Sequence, residues 1–69
     1  MSNPGDGVKI GEVTRVSDKG GDFYRVTGVT KDGKRGSVEI PTTTLDSMSR
    51  KQAEGVMRRG VYGSSRSES

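Results

Sequence analysis

Tyr24-Arg25-Val26-Thr27-Gly28-Val29-Thr30-Lys31-Asp32-Gly33-Lys34-Arg35-Gly36-Ser37-Val38-Glu39-Ile40-Pro41 reads as two strands joined by a tight turn. If Lys31 and Asp32 form a type I turn and Gly33 takes the left-handed position, the loop is three residues long and the register of the hairpin is fixed. Val26 then opposes Val38, Tyr24 opposes Ile40, and Arg25 opposes Glu39. Two apolar pairs fall on one face and an opposite-charge pair on the other, as cross-strand pairing favours. A two-residue Asp-Gly turn would instead oppose Thr27 to Val38 and Arg25 to Ile40, which are poorer matches, so the three-residue loop is the expected one.

Working outward, Phe23 to Thr30 is rich in aromatic and β-branched residues and forms one strand of this hairpin. A loop is expected over Ser17-Asp18-Lys19-Gly20-Gly21-Asp22. Before it, Val8 to Val16 forms another strand. Val8 and Ile10 share one parity and Val13 has the other, with Gly11 between them, so a bulge is expected at Gly11. Pro41 ends the third strand because it has no N–H to donate. A Thr-rich connection then leads through Leu45 to Met48. Ser49-Arg50-Lys51-Gln52 fits a capping box, with Met48 and Ala53 spaced as a hydrophobic staple, so a helix starts at Arg50. Its apolar face is Ala53, Val56 and Met57. Gly60 is placed to end it after about ten residues, leaving Val61 to touch Val56.

The expected fold class is α+β, a three-stranded antiparallel β-meander packed against one C-terminal α-helix. Its core is Tyr24, Val26, Val38, Ile40, Val56, Met57 and one side of the first strand. A small SH3-like β-barrel with Val61-Tyr62 as an extra strand is the alternative. Residues 8–62 form the single domain, between a flexible N-terminus at 1–7 and a disordered tail at 63–69.

Composition limits what this domain can be. The chain has 69 residues, of which 26% are apolar, and 11 are glycine. Burying a Val, Leu or Phe contributes about 1.5 to 3 kcal/mol, while each ordered residue costs about 1.5 kcal/mol of conformational entropy. A core this lean supports only part of the chain, and a partner that completes the fold is a natural remedy. Without cysteine there is no disulfide framework, and without histidine as well there is no zinc site of the usual kind. A small secreted domain ordinarily needs such a staple, and Met1-Ser2-Asn3-Pro4 lacks the pattern of a signal peptide, so a cytoplasmic location is expected. No apolar run is long enough to span a membrane.

Catalysis is not expected. Acid–base and nucleophilic chemistry need a positioned base, and histidine is absent. The carboxylates Glu12, Asp18, Asp22, Asp32, Glu39, Asp46 and Glu54 are scattered beside glycines or opposite basic residues, as in turns and solvated faces. Gly28 to Arg35 comes within one residue of a phosphate-binding loop. However, Arg35 replaces the magnesium-binding hydroxyl, and the segment is a hairpin instead of a strand-to-helix loop. Gly5-x-Gly7 with Gly11 is equally poor as a dinucleotide fingerprint, since no strand precedes it. No cofactor is expected.

The basic residues say more. The formal net charge is +3, which fits an anionic partner and also falls within the range that keeps small domains soluble. In the expected register Arg25, Thr27, Arg35, Ser37 and Glu39 share the face opposite the core with Phe23 and Val29, while Lys31 and Lys34 stand at the hairpin tip. Such a face suits a nucleic-acid groove, although any sheet covered on one side shows charges on the other. Arg58 and Arg59 complement the negative end of the helix dipole. Arg50 and Lys51 sit at its positive end, where cations are disfavoured by about 0.3 to 1 kcal/mol, a weak sign of an outside anion.

The order Tyr24-Arg25-Val26, Asp32-Gly33-Lys34-Arg35, Ile40-Pro41 and Ser49-Arg50-Lys51-Gln52-Ala53-Glu54 resembles the arm-type DNA-binding domains at the N-termini of phage and transposon tyrosine recombinases, and more distantly the plant AP2 domain. Those domains lay a three-stranded sheet, backed by one helix, in the DNA major groove. The resemblance covers about residues 23–59 and implies that Arg25, Thr27, Arg35 and Ser37 face bases, with Lys31 and Lys34 near phosphate. Two partner classes are therefore carried forward. One is nucleic acid, double-stranded DNA first, for a non-enzymatic accessory or regulatory module of the kind phages and mobile elements encode. The other is a protein, for a small inhibitor, adaptor or assembly component whose interface centres on Phe23 and Val29.

Overall fold

A computed structural model describes residues 5–67. Three antiparallel strands, β1 (Lys9–Asp18), β2 (Gly21–Val29) and β3 (Arg35–Pro41), form one sheet in the order β1-β2-β3. A short helix α1 (Thr42–Asp46) and a long helix α2 (Arg50–Ser67) follow. The result is the α+β meander with a C-terminal helix; the barrel does not form, because Val61 and Tyr62 belong to α2.

The hairpin takes the register its turn chemistry dictates, with Tyr24 opposite Ile40, Arg25 opposite Glu39 and Val26 opposite Val38. Thr30 N–H donates to the Lys34 carbonyl at 2.8 Å, Gly33 N–H donates to the Thr30 carbonyl at 3.0 Å, and Gly33 has a φ of 86°. The Thr30 hydroxyl accepts from Lys34 N–H and donates to Asp32, each at 3.1 Å. A Cβ at a positive φ costs about 1–2 kcal/mol. Gly33→Ala is accordingly expected to lower stability by about 1 kcal/mol, or Tm by about 4–8 °C, read by circular dichroism melting.

On the other side of β2 the pairing slips by one residue between Ile10 and Glu12, placing the bulge at Gly11. The connection to β2 is shorter than the expected loop. Pairing continues through Ser17–Asp22 to Asp18–Gly21, leaving only Lys19-Gly20 at the turn. There the Asp18 carboxylate accepts from Gly20 N–H at 2.8 Å, and Gly21 takes a φ of 117°.

Both bonds of the capping box form at 3.3 Å: Gln52 N–H donates to Ser49 Oγ, and Ser49 N–H donates to Gln52 Oε1. The far end of α2 differs from expectation. The helix does not stop at Gly60 but runs to Ser67, so the tail expected over 63–69 is helical as far as it is described. Its reason is tertiary. Gly28 and Gly36 face each other across β2 and β3, and Val61, with no exposed surface, sits over them. A Cβ added at Gly36 would meet the Val61 carbonyl oxygen and lie 3.1 Å from Ser65 N. Gly60 turns to Val38, 2.9 Å from the nearest methyl if it carried a Cβ. At the edge of the sheet, Ser37 N–H donates to Ser64 Oγ at 3.3 Å. Small residues at helical spacing thus seat the helix tightly on the sheet, offsetting a glycine cost of about 1 kcal/mol each.

The Thr-rich connection contains a helix of its own, α1, to which its composition gives no clue. Threonine is a poor helix former, but Thr42 and Leu45 are buried here and packing overrides propensity. The core is Val8, Val26, Ile40, Leu45 and Val61. Tyr24, Val38, Val56 and Met57, expected in it, are partly buried around it. Of the N-terminal stretch expected to be flexible, Gly5 is buried against α2 and its carbonyl accepts from Val8 N–H at 3.2 Å. Residues 1–4 and 68–69, also expected to be mobile, lie outside the described residues.

Candidate functional site

The register of both strand pairs orders the sheet face that α2 leaves open into four rows. Farthest from the β2–β3 turn among the rows that cross all three strands, with only the Asp18–Gly21 pair beyond, Val16, Phe23 and Pro41 lie side by side. Next come Thr14, Arg25 and Glu39, then Glu12, Thr27 and Ser37, and finally Lys9, Val29 and Arg35 beside the turn. The face therefore grades from apolar at one end to cationic at the other, where Lys9 and Arg35 stand; at the hairpin tip beyond it, Lys34 borders a small pocket with Tyr62 and Ser65 of α2, and the Lys31 stem lies beside Gly7.

The carboxylates of this face, Asp18, Glu12 and Glu39, are engaged locally, Asp18 by the Gly20 N–H of its own turn. Glu39 meets Arg25 at 3.1 Å, with both side chains about half exposed, and Glu12 accepts from the Thr14 hydroxyl at 3.0 Å. An exposed pair of this kind contributes about 0–1 kcal/mol, so it is easily exchanged for another partner. The other ion pair, Arg15–Asp22 at 3.5 Å, lies on the helix side. Lys9, Lys31, Lys34 and Arg35 thus take part in no ion pair among the described residues, and all are exposed. On the open face, Gly11, Thr27, Val29, Arg35 and Ser37 border a shallow depression of about 420 Å³ floored by Gly28 and Gly36.

Of the residues singled out in the sequence, Arg25, Thr27, Arg35 and Ser37 share this face; Lys31 and Lys34 stand at the hairpin tip, and Lys34 lies on the helix side, near Tyr62 and Ser65. Arg50 and Lys51 do not join them. They start α2 on the opposite side of the sheet, where Arg50 borders a groove with Val13 and Tyr24. Phe23 is half-buried in its apolar row, whereas Val29 is 40% exposed and stands among the cations. Lys9 is the residue that sequence reading missed. Its signal was the Gly11 bulge, which shifts the alternation so that Lys9 faces the same way as Arg35.

Among the described residues no group of three or more acidic side chains gathers as a metal site, and no helix is long and apolar enough to cross a membrane. No protein-family model, curated protein or solved structure matches the chain.

Proposed function

We propose that the chain is a small non-enzymatic module that binds double-stranded DNA with the turn end of its open sheet face. One observation carries the reading: the turn end of the sheet gathers Lys9 and Arg35 on the open face and Lys31 and Lys34 at the hairpin tip without ion-pair partners among the described residues, while Glu39 and Glu12 on that face are held by Arg25 and Thr14. Phosphate attraction dominates nucleic-acid affinity, and Lys9 on the face with Lys31 and Lys34 at the hairpin tip supply it. Arg35, Thr27 and Ser37 line the depression on the open face and have the donors that base edges accept. Outer strands about 10 Å apart suit a major groove about 12 Å wide. Arg25 contributes by exchanging Glu39 for phosphate or base.

A protein partner is the second reading, supported by the Val16–Phe23–Pro41 row and the exposed Val29. Fluorescence titration with a mixed-sequence duplex separates the two. Arg35→Ala is expected to weaken binding about tenfold and Phe23→Ala less than twofold. A chain that binds no duplex even at low salt contradicts the DNA reading and leaves the apolar row as the surface to pursue.

A further inference from the structure

α2 lies over β3 and β2 and leaves the helix side of β1 largely uncovered. Val13 pairs with the fully buried Val26 and yet is 46% exposed. With Tyr24, Leu45, Met48, Ala53 and Met57 it lines an apolar groove of about 530 Å³ between β1 and the first half of α2. In a chain with so few apolar residues, this patch is core-type surface without a lid.

We propose that the groove is the interface with a second copy of this chain, packed face to face about a two-fold axis. The rim supplies the reason for a copy in place of a foreign partner. Arg50 and Glu54 stand one turn apart on α2, both at the groove, with Asp46 beside them. In an isologous contact each patch meets itself, so adjacent charges of opposite sign become complementary: Arg50 faces Glu54 of the partner subunit, and the reverse. A rim of one sign would suit an oppositely charged stranger. Association through the outer edge of β1 is disfavoured, because Lys9, Glu12, Arg15, Asp18 and the Gly11 bulge are the devices that discourage strand addition. The helix-side contact leaves the open face untouched, so the inference stands independently of DNA binding.

Sedimentation equilibrium of the full chain, without nucleic acid, from about 5 to 500 µM tests it. The average mass is expected to climb from 7.4 kDa towards twice that value. Val13→Asp, at an exposed position, is expected to hold the mass at the monomer value with an unchanged circular dichroism spectrum. Arg50→Glu and Glu54→Arg should each weaken association about tenfold, and the two together should restore it, since the swap recreates the complementarity. A wild-type chain that stays monomeric throughout overturns the proposal. So does self-association that is indifferent to Val13→Asp and to the charge swap.

Discussion

Gly36→Val is expected to remove about 3 kcal/mol of stability and most of the cooperative melting transition. Overpacking a core costs about 1–3 kcal/mol when side chains can yield, and more when they cannot. Here the new Cβ meets the Val61 carbonyl oxygen and Ser65 N, which are backbone atoms of α2, so the helix itself must lift from the sheet. A chain of this length has only about 3–10 kcal/mol in total. Gly63 supplies the internal control, because nothing lies within 4 Å of a Cβ added there. Gly63→Ala should stabilise the protein by about 0.5–1 kcal/mol if α2 runs to Ser67, through helix propensity alone. If the helix ended at Gly60, Gly63→Ala would change nothing, and melting of the two variants side by side decides between these structures.

Removing the cations at the turn end has the largest expected effect on binding. Each phosphate contact contributes about 0.9 to the slope of log affinity against log salt. Lys9→Ala, Lys31→Ala and Lys34→Ala combined should therefore lower that slope by about 2.7, and weaken duplex binding about a hundredfold near 0.15 M salt. All three side chains are exposed, and none belongs to the buried core, so the fold should melt as the parent does. The same number of substitutions at Lys51, Arg58 and Arg59, on α2 behind the sheet, should change the slope by less than one. Equal effects from both sets would mean that net charge, and no particular face, attracts the DNA.

The parts of this fold that were legible in the sequence are those where local chemistry and long-range pairing agree. Lys31-Asp32-Gly33 dictates a loop length, that length dictates Val26 against Val38, and the pairing is apolar on one face and charged on the other. Ser49 and Gln52 mark the start of α2 for the same reason, since both of their bonds are local. What was not legible depends on tertiary contact. Gly60-Val61-Tyr62-Gly63-Ser64-Ser65 has the composition of a tail, and becomes helix because the Gly28–Gly36 pair leaves room for Val61. Thr42-Thr43-Thr44 has poor helix propensity, and α1 forms because Leu45 and Thr42 are buried. The site follows the same division. Arg25, Thr27, Arg35 and Ser37 could be assigned to one face from the hairpin alone, whereas Lys9 required the pairing of β1 across a bulge. The opposition of Arg25 to Glu39 was also readable, but it makes Arg25 a partnered side chain and shifts the weight of the face to Arg35 and Lys9.

The most direct measurement is an amide-shift titration of the labelled chain with a mixed-sequence DNA duplex at low salt, repeated with added salt. Shifts are expected to concentrate at Lys9, Thr27, Val29, Lys31, Lys34, Arg35 and Ser37 and to fade as salt is raised, with Val13, Ala53 and Met57 unmoved. Shifts confined to the helix side, or none at low salt, would contradict the DNA reading.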